Sequence, residues 1–225
     1  MLCCWSTKGG SGTSVVAAAL ALGFAERSRG CLLVDLVGDQ PAVLGQPEPP
    51  GPGVLDWLHT GLASPPDALG RLELPVSPGL RLLPRGAGVA SVPDDNGGEV
   101  DHQGLLLLSV LAAEQRTVVV DAGALGAGAP VMATALAATA GTSLLVVRPC
   151  YLALRRVVRC GVRPTGVVVV SEPWRVLSAA DVATATGAPV VAEVPVVPAV
   201  ARCVDAGLLA TRRPRELRRP LRGVG

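Results

Sequence analysis

The sequence predicts a three-layer, doubly wound α/β fold, a mostly parallel sheet with helices on both faces. Three observations carry that expectation. Strand-like and helix-like patterns alternate along the 225 residues, as in successive βαβ units. Several runs of four to six Val and Leu residues are apolar throughout, the pattern of a parallel strand covered on each side by helices. A glycine-rich segment directly follows the first apolar run and opens an Ala-rich one, giving strand, turn and helix in order.

Residues 1–5 are short and apolar and predict the first strand; 8–14 form the glycine-rich loop, and 15–29 a helix with small packing faces. The apolar run over 31–36 carries Asp35 at its end, and the Pro/Gly-rich stretch 41–52 shows no regular pattern. A short helix is expected at 54–60, a buried strand at 80–84, and a loop over 86–98 with Asp94, Asp95, Asn96, Gly97 and Gly98 as its turn residues. Residues 100–113, 130–140 and 152–160 read as helices, and 117–121, 143–147 and 165–170 as strands. Final helices at 179–186 and 199–209 flank a strand at 189–194. No internal repeat or dividing linker interrupts this series. One domain over 1–210 and a flexible basic tail over 211–225 are expected.

Composition supports a folded chain. The 27 glycines and 20 prolines would suggest disorder in a polar sequence, but 49% of residues are hydrophobic and 17% charged. A chain of 22.8 kDa removes roughly 23,000 Å² of surface on folding, enough for one sizeable core. The net charge of +2 excludes a nucleic-acid footprint over the whole surface, so polyanion contact would need a local patch. Cysteines at 3, 4, 31, 150, 160 and 203 are too scattered for a disulfide scaffold or a zinc site and read as apolar thiols in a reducing cytoplasm. The first five residues lack a positive n-region and the apolar stretch 15–25 is too short to span a bilayer, so neither a signal peptide nor a membrane helix is expected.

The sharpest signal is Lys8-Gly9-Gly10-Ser11-Gly12-Thr13-Ser14. Its glycines allow backbone N–H groups to converge on an anion, and the helix behind adds the positive end of its dipole. Against the phosphate-binding pattern G-x-x-x-x-G-K-[ST], Gly12 is the last loop glycine and Ser14 the magnesium-side hydroxyl. Thr13 stands where a lysine would reach the β/γ-phosphates, which removes a unit charge and makes fast hydrolysis unexpected. Lys8 is the single lysine beside nineteen arginines. A compact charge on a flexible stem is retained there, at the start of a glycine nest.

This segment resembles the deviant Walker A loop, K-G-G-x-G-K-[ST], of the ParA/MinD partitioning and positioning ATPases. The resemblance implies a P-loop NTPase fold, ATP or ADP with Mg²⁺ as ligands, and a nucleotide-dependent homodimer in which Lys8 crosses to the partner's nucleotide. It implies phosphate binding by Lys8, Gly9, Gly10, Ser11, Gly12, Thr13 and Ser14, with Thr13 replacing the intrasubunit lysine. Further similarity runs through most of the chain. Leu32-Leu33-Val34-Asp35, then Asp39 and Leu44-Gly45, resemble a shortened D-x-D…G-D…L-G segment of the CpaE-like or TadZ-like pilus-assembly branch. The family's second aspartate is Val37 here, which leaves Asp39 for that role. Val118-Val119-Val120-Asp121 resembles the Walker B strand, and Gly187-Ala188-Pro189-Val190 with Ala206-Gly207 the branch's ending. Where the family often has a base-recognising Asn, this chain has Ser171-Glu172-Pro173.

Aspartates ending parallel strands face the crevice where doubly wound sheets bind ligands. Asp35 and Asp121, with the Ser14 hydroxyl, make hard oxygen ligands suited to magnesium or its waters; Lys8 and Asp39 are the candidate catalytic residues. Arg155, Arg156 and Arg159, and the six arginines after residue 211, form basic patches that attract DNA phosphates or an anionic bilayer; the sequence leaves both open. The expectation is an ATP-dependent positioning or assembly switch, for a Tad-type pilus or for septum placement, that recruits a protein partner in the cytoplasm or at the membrane's inner face. Hydrolysis would be slow or absent. The alternatives are a nucleotide-independent scaffold and, disfavoured by Thr13, a small-molecule kinase or synthetase.

Overall fold

In a computed structural model, residues 1–60, 67–89 and 102–225 are described. The expected turn residues 94–98 lie outside them. The chain opens with strand β1 (Leu2–Ser6), helix α1 (Thr13–Arg27), strand β2 (Cys31–Asp35) and the short helices α2 (Gln40–Leu44), α3 (Val54–Thr60) and α4 (Ala68–Arg71). Strands β3 (Leu74–Ser77) and β4 (Leu80–Leu83) precede α5 (His102–Ala113), β5 (Thr117–Ala124), α6 (Val131–Thr139) and β6 (Thr142–Val147). The rest is α7 (Tyr151–Arg159), β7 (Gly166–Ser171), α8 (Ala179–Thr186), β8 (Val190–Pro195), α9 (Pro198–Asp205) and α10 (Arg215–Leu221).

Eight strands form one sheet in the order β3-β4-β2-β5-β1-β6-β7-β8. All neighbours are parallel except β3, which runs antiparallel to β4 at the edge. Pro75 fits that edge, where a missing N–H costs no ladder bond. Successive side chains of β1 enter opposite layers: Cys3 and Trp5 join the core under α5 and α6, and Leu2 and Cys4 the core under α1. Burial of the Trp5 ring leaves its indole N–H donating to Ser143 Oγ at 2.9 Å. α1 is buried on nearly every side from Val16 to Leu22, and its run of alanines lets it lie close to the sheet. All six cysteines are free, and burial pushes the thiols of Cys3 and Cys4 up and that of Cys31 up to about 12.

Two expectations need correction. The stretch from residue 41, read as patternless, contains α2: Pro41 suits the first helical turn, where its N–H is not needed, and Val43 and Leu44 are buried. Its end is fixed by Gly45, whose φ is 67° and where a Cβ would stand 1.9 Å from the carbonyl oxygen of Gly207. The tail, read as flexible, is instead the packed helix α10 with its flanks. Leu217, Leu221 and Val224 make an i, i+4, i+7 stripe, each at most 3% exposed, against α1 and β8. Arg213 ties the approach to α10 down, donating to the Ala19 carbonyl at 3.0 Å and pairing with Glu26 at 2.7 Å.

Candidate functional site

The loop between β1 and α1 sits at the carboxyl edge of the central strands, where a doubly wound sheet opens its crevice. Gly10 and Gly12 hold φ of 75° and 88°, left-handed values open to glycine at little cost. A Cβ on Gly10 would meet nothing within 4 Å, so the loop's outer face is open. The Lys8 carbonyl accepts from the hydroxyls of Ser11 at 2.8 Å and Ser6 at 3.1 Å, which fixes the first half of the loop. Thr7 Oγ1 donates to the Ala153 carbonyl at 3.0 Å, joining the loop to α7. Lys8 itself is exposed and forms no ion pair among the described residues. Thr13 is buried and Ser14 half-buried.

Strand pairing brings the two acidic strand ends together, since Asp35 and Asp121 are register partners across β2 and β5. Both are fully buried. Asp35 organises the turn after β2: its Oδ1 accepts from the N–H groups of Val37 at 2.9 Å and Gly38 at 2.7 Å, and its Oδ2 from that of Gln40 at 3.0 Å. Burial raises its pKa against those three bonds, with Asp39 raising it further. Asp121 Oδ1 accepts from the Gly123 N–H at 3.2 Å and Oδ2 from Gln40 Nε2 at 2.8 Å. Its pKa is pushed up to about 6 by burial first and by the Asp35 charge second, while Gln40, Ser14 and Gly123 pull it down. Proximity to Ser14 places all three expected magnesium-side residues in one group.

Gln40 is the residue that sequence reasoning passed over. It is completely buried, and its Nε2 donates both to Asp121 and, at 3.0 Å, to the backbone carbonyl of Ser14. One amide thus joins α1, β5 and the turn after β2. Its Oε1 is buried without a partner, a vacancy in hydrogen bonding that marks a place for a donor such as metal-bound water. The one sequence signal is Pro41 directly after it, which suits the first turn of a helix that Gln40 itself begins. Asp39, by contrast, is exposed as the N-cap of α2 and makes no capping bond.

The residues present fit a nucleotide with magnesium. Two carboxylates, a hydroxyl and an orphaned amide oxygen suit an ion that keeps several waters, and no cluster of three His, Cys, Asp or Glu side chains forms a closed cage among the described residues. Beside Gly12 lies a cleft of about 190 Å³ walled by Val15, Val170, Val194 and Val196. Arg148 lines it and pairs at 3.8 Å with the buried Glu172 side chain, which Arg175 also holds at 2.5 Å.

Sheet order, loop position and flanking helices define a P-loop NTPase type of α/β fold. No protein-family model matches the chain, and no curated protein matches it by sequence. Solved structures match along nearly its whole length. A ParA family ATPase from Chlorobium tepidum superposes with a TM-score of 0.76 at 18% identity, covering 98% of this chain and 96% of that one. A chain of the MinC:MinD cell division protein complex from Aquifex aeolicus gives 0.76 at 18%, with 98% and 93% covered. The septum site-determining protein MinD with Mg-ADP from Pyrococcus horikoshii gives 0.71 at 16%, with 98% and 91% covered. At these identities the likeness establishes a shared fold.

Proposed function

We propose that this chain is an ATP- and magnesium-binding switch of the ParA/MinD type that dimerises on nucleotide, recruits a protein partner, and hydrolyses ATP slowly or not at all. The observation that carries the reading is the convergence of Ser14, Asp35, Asp121 and Gln40 behind a left-handed glycine loop. The N–H groups of residues 9–14 would hold the phosphates. Ser14 and Asp121 would hold magnesium or its waters, with Asp35 setting the turn that carries Gln40. Bound magnesium supplies neutralisation of phosphate charge. The apolar cleft beside Gly12 would receive the base, without an Asn at the end of β7.

Thr13 is neutral and buried, so no ammonium from the loop's own helix meets the phosphates. That supports slow turnover. Lys8 is exposed and free to reach a second copy, and Asp39, exposed nearby, would position water in place of the aspartate missing at Val37. Partner recruitment is supported by α7, which is bonded to the loop through Ala153 and exposes Tyr151, Leu152 and Val158 beside Arg155 and Arg159. The placement role, at a Tad-type pilus or the septum, belongs to this reading, as does a cytoplasmic location with peripheral membrane or DNA contact through the arginines. No described helix is long and apolar enough to cross a membrane.

Calorimetric titration of ATP with magnesium tests the ligand. Wild type is expected to bind one ATP per chain, and Thr13→Lys about tenfold more tightly, the worth of one charge-assisted bond. Absence of heat at millimolar ATP in both proteins would leave the nucleotide-independent scaffold as the better account.

A further inference from the structure

A second cleft lies away from the glycine loop. It is a concave space of about 540 Å³ between the carboxyl half of α1 and α10, lined by Arg27, Arg213, Arg215, Arg218, Arg219 and Arg222. Gly23, in the middle of this wall, sits some 15 Å along the helix from Thr13 at 1.5 Å per residue. Six guanidiniums face one carboxylate, that of Glu26. Arg213 takes that carboxylate, and Arg27 lies 5.1 Å over the Phe24 ring and donates to the Arg222 carbonyl. The side chains of Arg215, Arg218, Arg219 and Arg222 form no ion pair among the described residues.

Arg213 is the buried anchor of this wall. The Arg213 side chain is 8% exposed, yet its Nε is buried with no hydrogen-bond partner. Arg213 and Arg215 form the wall shared with a neighbouring cleft of about 480 Å³ that adds Arg202, Arg212 and the carboxylate of Glu216. The Arg213 guanidinium also rests against α1 where the helix has Gly23: a Cβ there would lie 3.4 Å from Arg213 Nη1. That distance is ordinary van der Waals contact, so the guanidinium packs directly on the helix surface at Gly23.

We infer that the α1–α10 cleft is a binding site for a compact, soluble oligophosphate. Planar forks that pair two N–H groups with two oxygens select phosphate groups. A cleft of this size fits a small ligand, and the convergence of charge into a concavity favours clustered phosphates over an extended backbone. Several negative charges within one small volume match the excess of guanidiniums over carboxylate. The site is independent of the nucleotide reading, since no residue of the glycine loop lines it.

The test is a titration of the full chain with inorganic tripolyphosphate, followed by NMR of arginine side-chain and backbone N–H groups. The Arg213 Nε–H and Gly23 N–H signals are expected to shift together and saturate at one equivalent. The double variant Arg218→Gln/Arg219→Gln, at two exposed positions, should bind at least tenfold more weakly, and Arg218→Lys/Arg219→Lys should fall between. Shifts confined to residues 9–14, or unchanged affinity in the Gln pair, would overturn the inference. So would sedimentation with phosphatidylglycerol vesicles while tripolyphosphate leaves Arg213 unmoved, which would make the cleft a lipid-surface contact.

Discussion

Asp121 carries an energetic cost that the site's geometry explains. Its pKa of about 6 against an ordinary 3.8 means that between those values the folded chain keeps a proton the unfolded chain has released. Stability therefore falls as pH rises through that window, and the penalty is complete above it. Two units correspond to roughly 3 kcal/mol. Asp35, fully buried and itself raised by burial, supplies the second push on Asp121. Asp121→Asn removes the charge but faces N–H donors from Gly123 and Gln40, so a net gain of about 1–2 kcal/mol is expected at pH 8 and almost none at pH 4. Urea unfolding at the two pH values checks this; an equal effect at both would contradict it. Asp35, Asp121 and Ser14 were legible because each stands at a strand end or loop position with a recognisable pattern. Gln40 was not, because its role arises from contacts with Ser14 and Asp121, 26 and 81 residues away, and no local spacing encodes them.

The helices differ in how openly the sequence states them. α1 follows directly from its alanines and from the loop before it. α2 was hidden because five residues with a proline read as irregular, although Pro41 at the first turn is permitted there. α10 was hidden by the density of arginines, which masked a three-residue apolar stripe. Its packing is a stability claim: Leu217 is completely buried, so Leu217→Ala should cost about 2–5 kcal/mol in the unfolding free energy. A cost below about 0.5 kcal/mol, the range of ordinary surface substitutions, would instead match a detached tail. β3 went unread because its half-buried edge position shows little of the Val-rich signature of the central strands.

At the scale of the whole molecule, alternation of strand and helix was enough to anticipate a parallel sheet, because both faces of its central strands are covered and their sequences are apolar throughout. Strand order was not readable, since it depends on which crossovers fall on which face. The completed sheet juxtaposes residues 35 and 121 and places the glycine loop beside them. Lys8 is left facing solvent, where the proposed function has it meet the phosphates held by a second copy. In the proposed function, nucleotide brings two copies together through that lysine. Light scattering of wild type and Lys8→Ala, each with and without ATP and magnesium, tests it most directly. The account predicts a rise toward twice 22.8 kDa in wild type alone and only with nucleotide; a mass unchanged by ATP, or the same rise in Lys8→Ala, would contradict it.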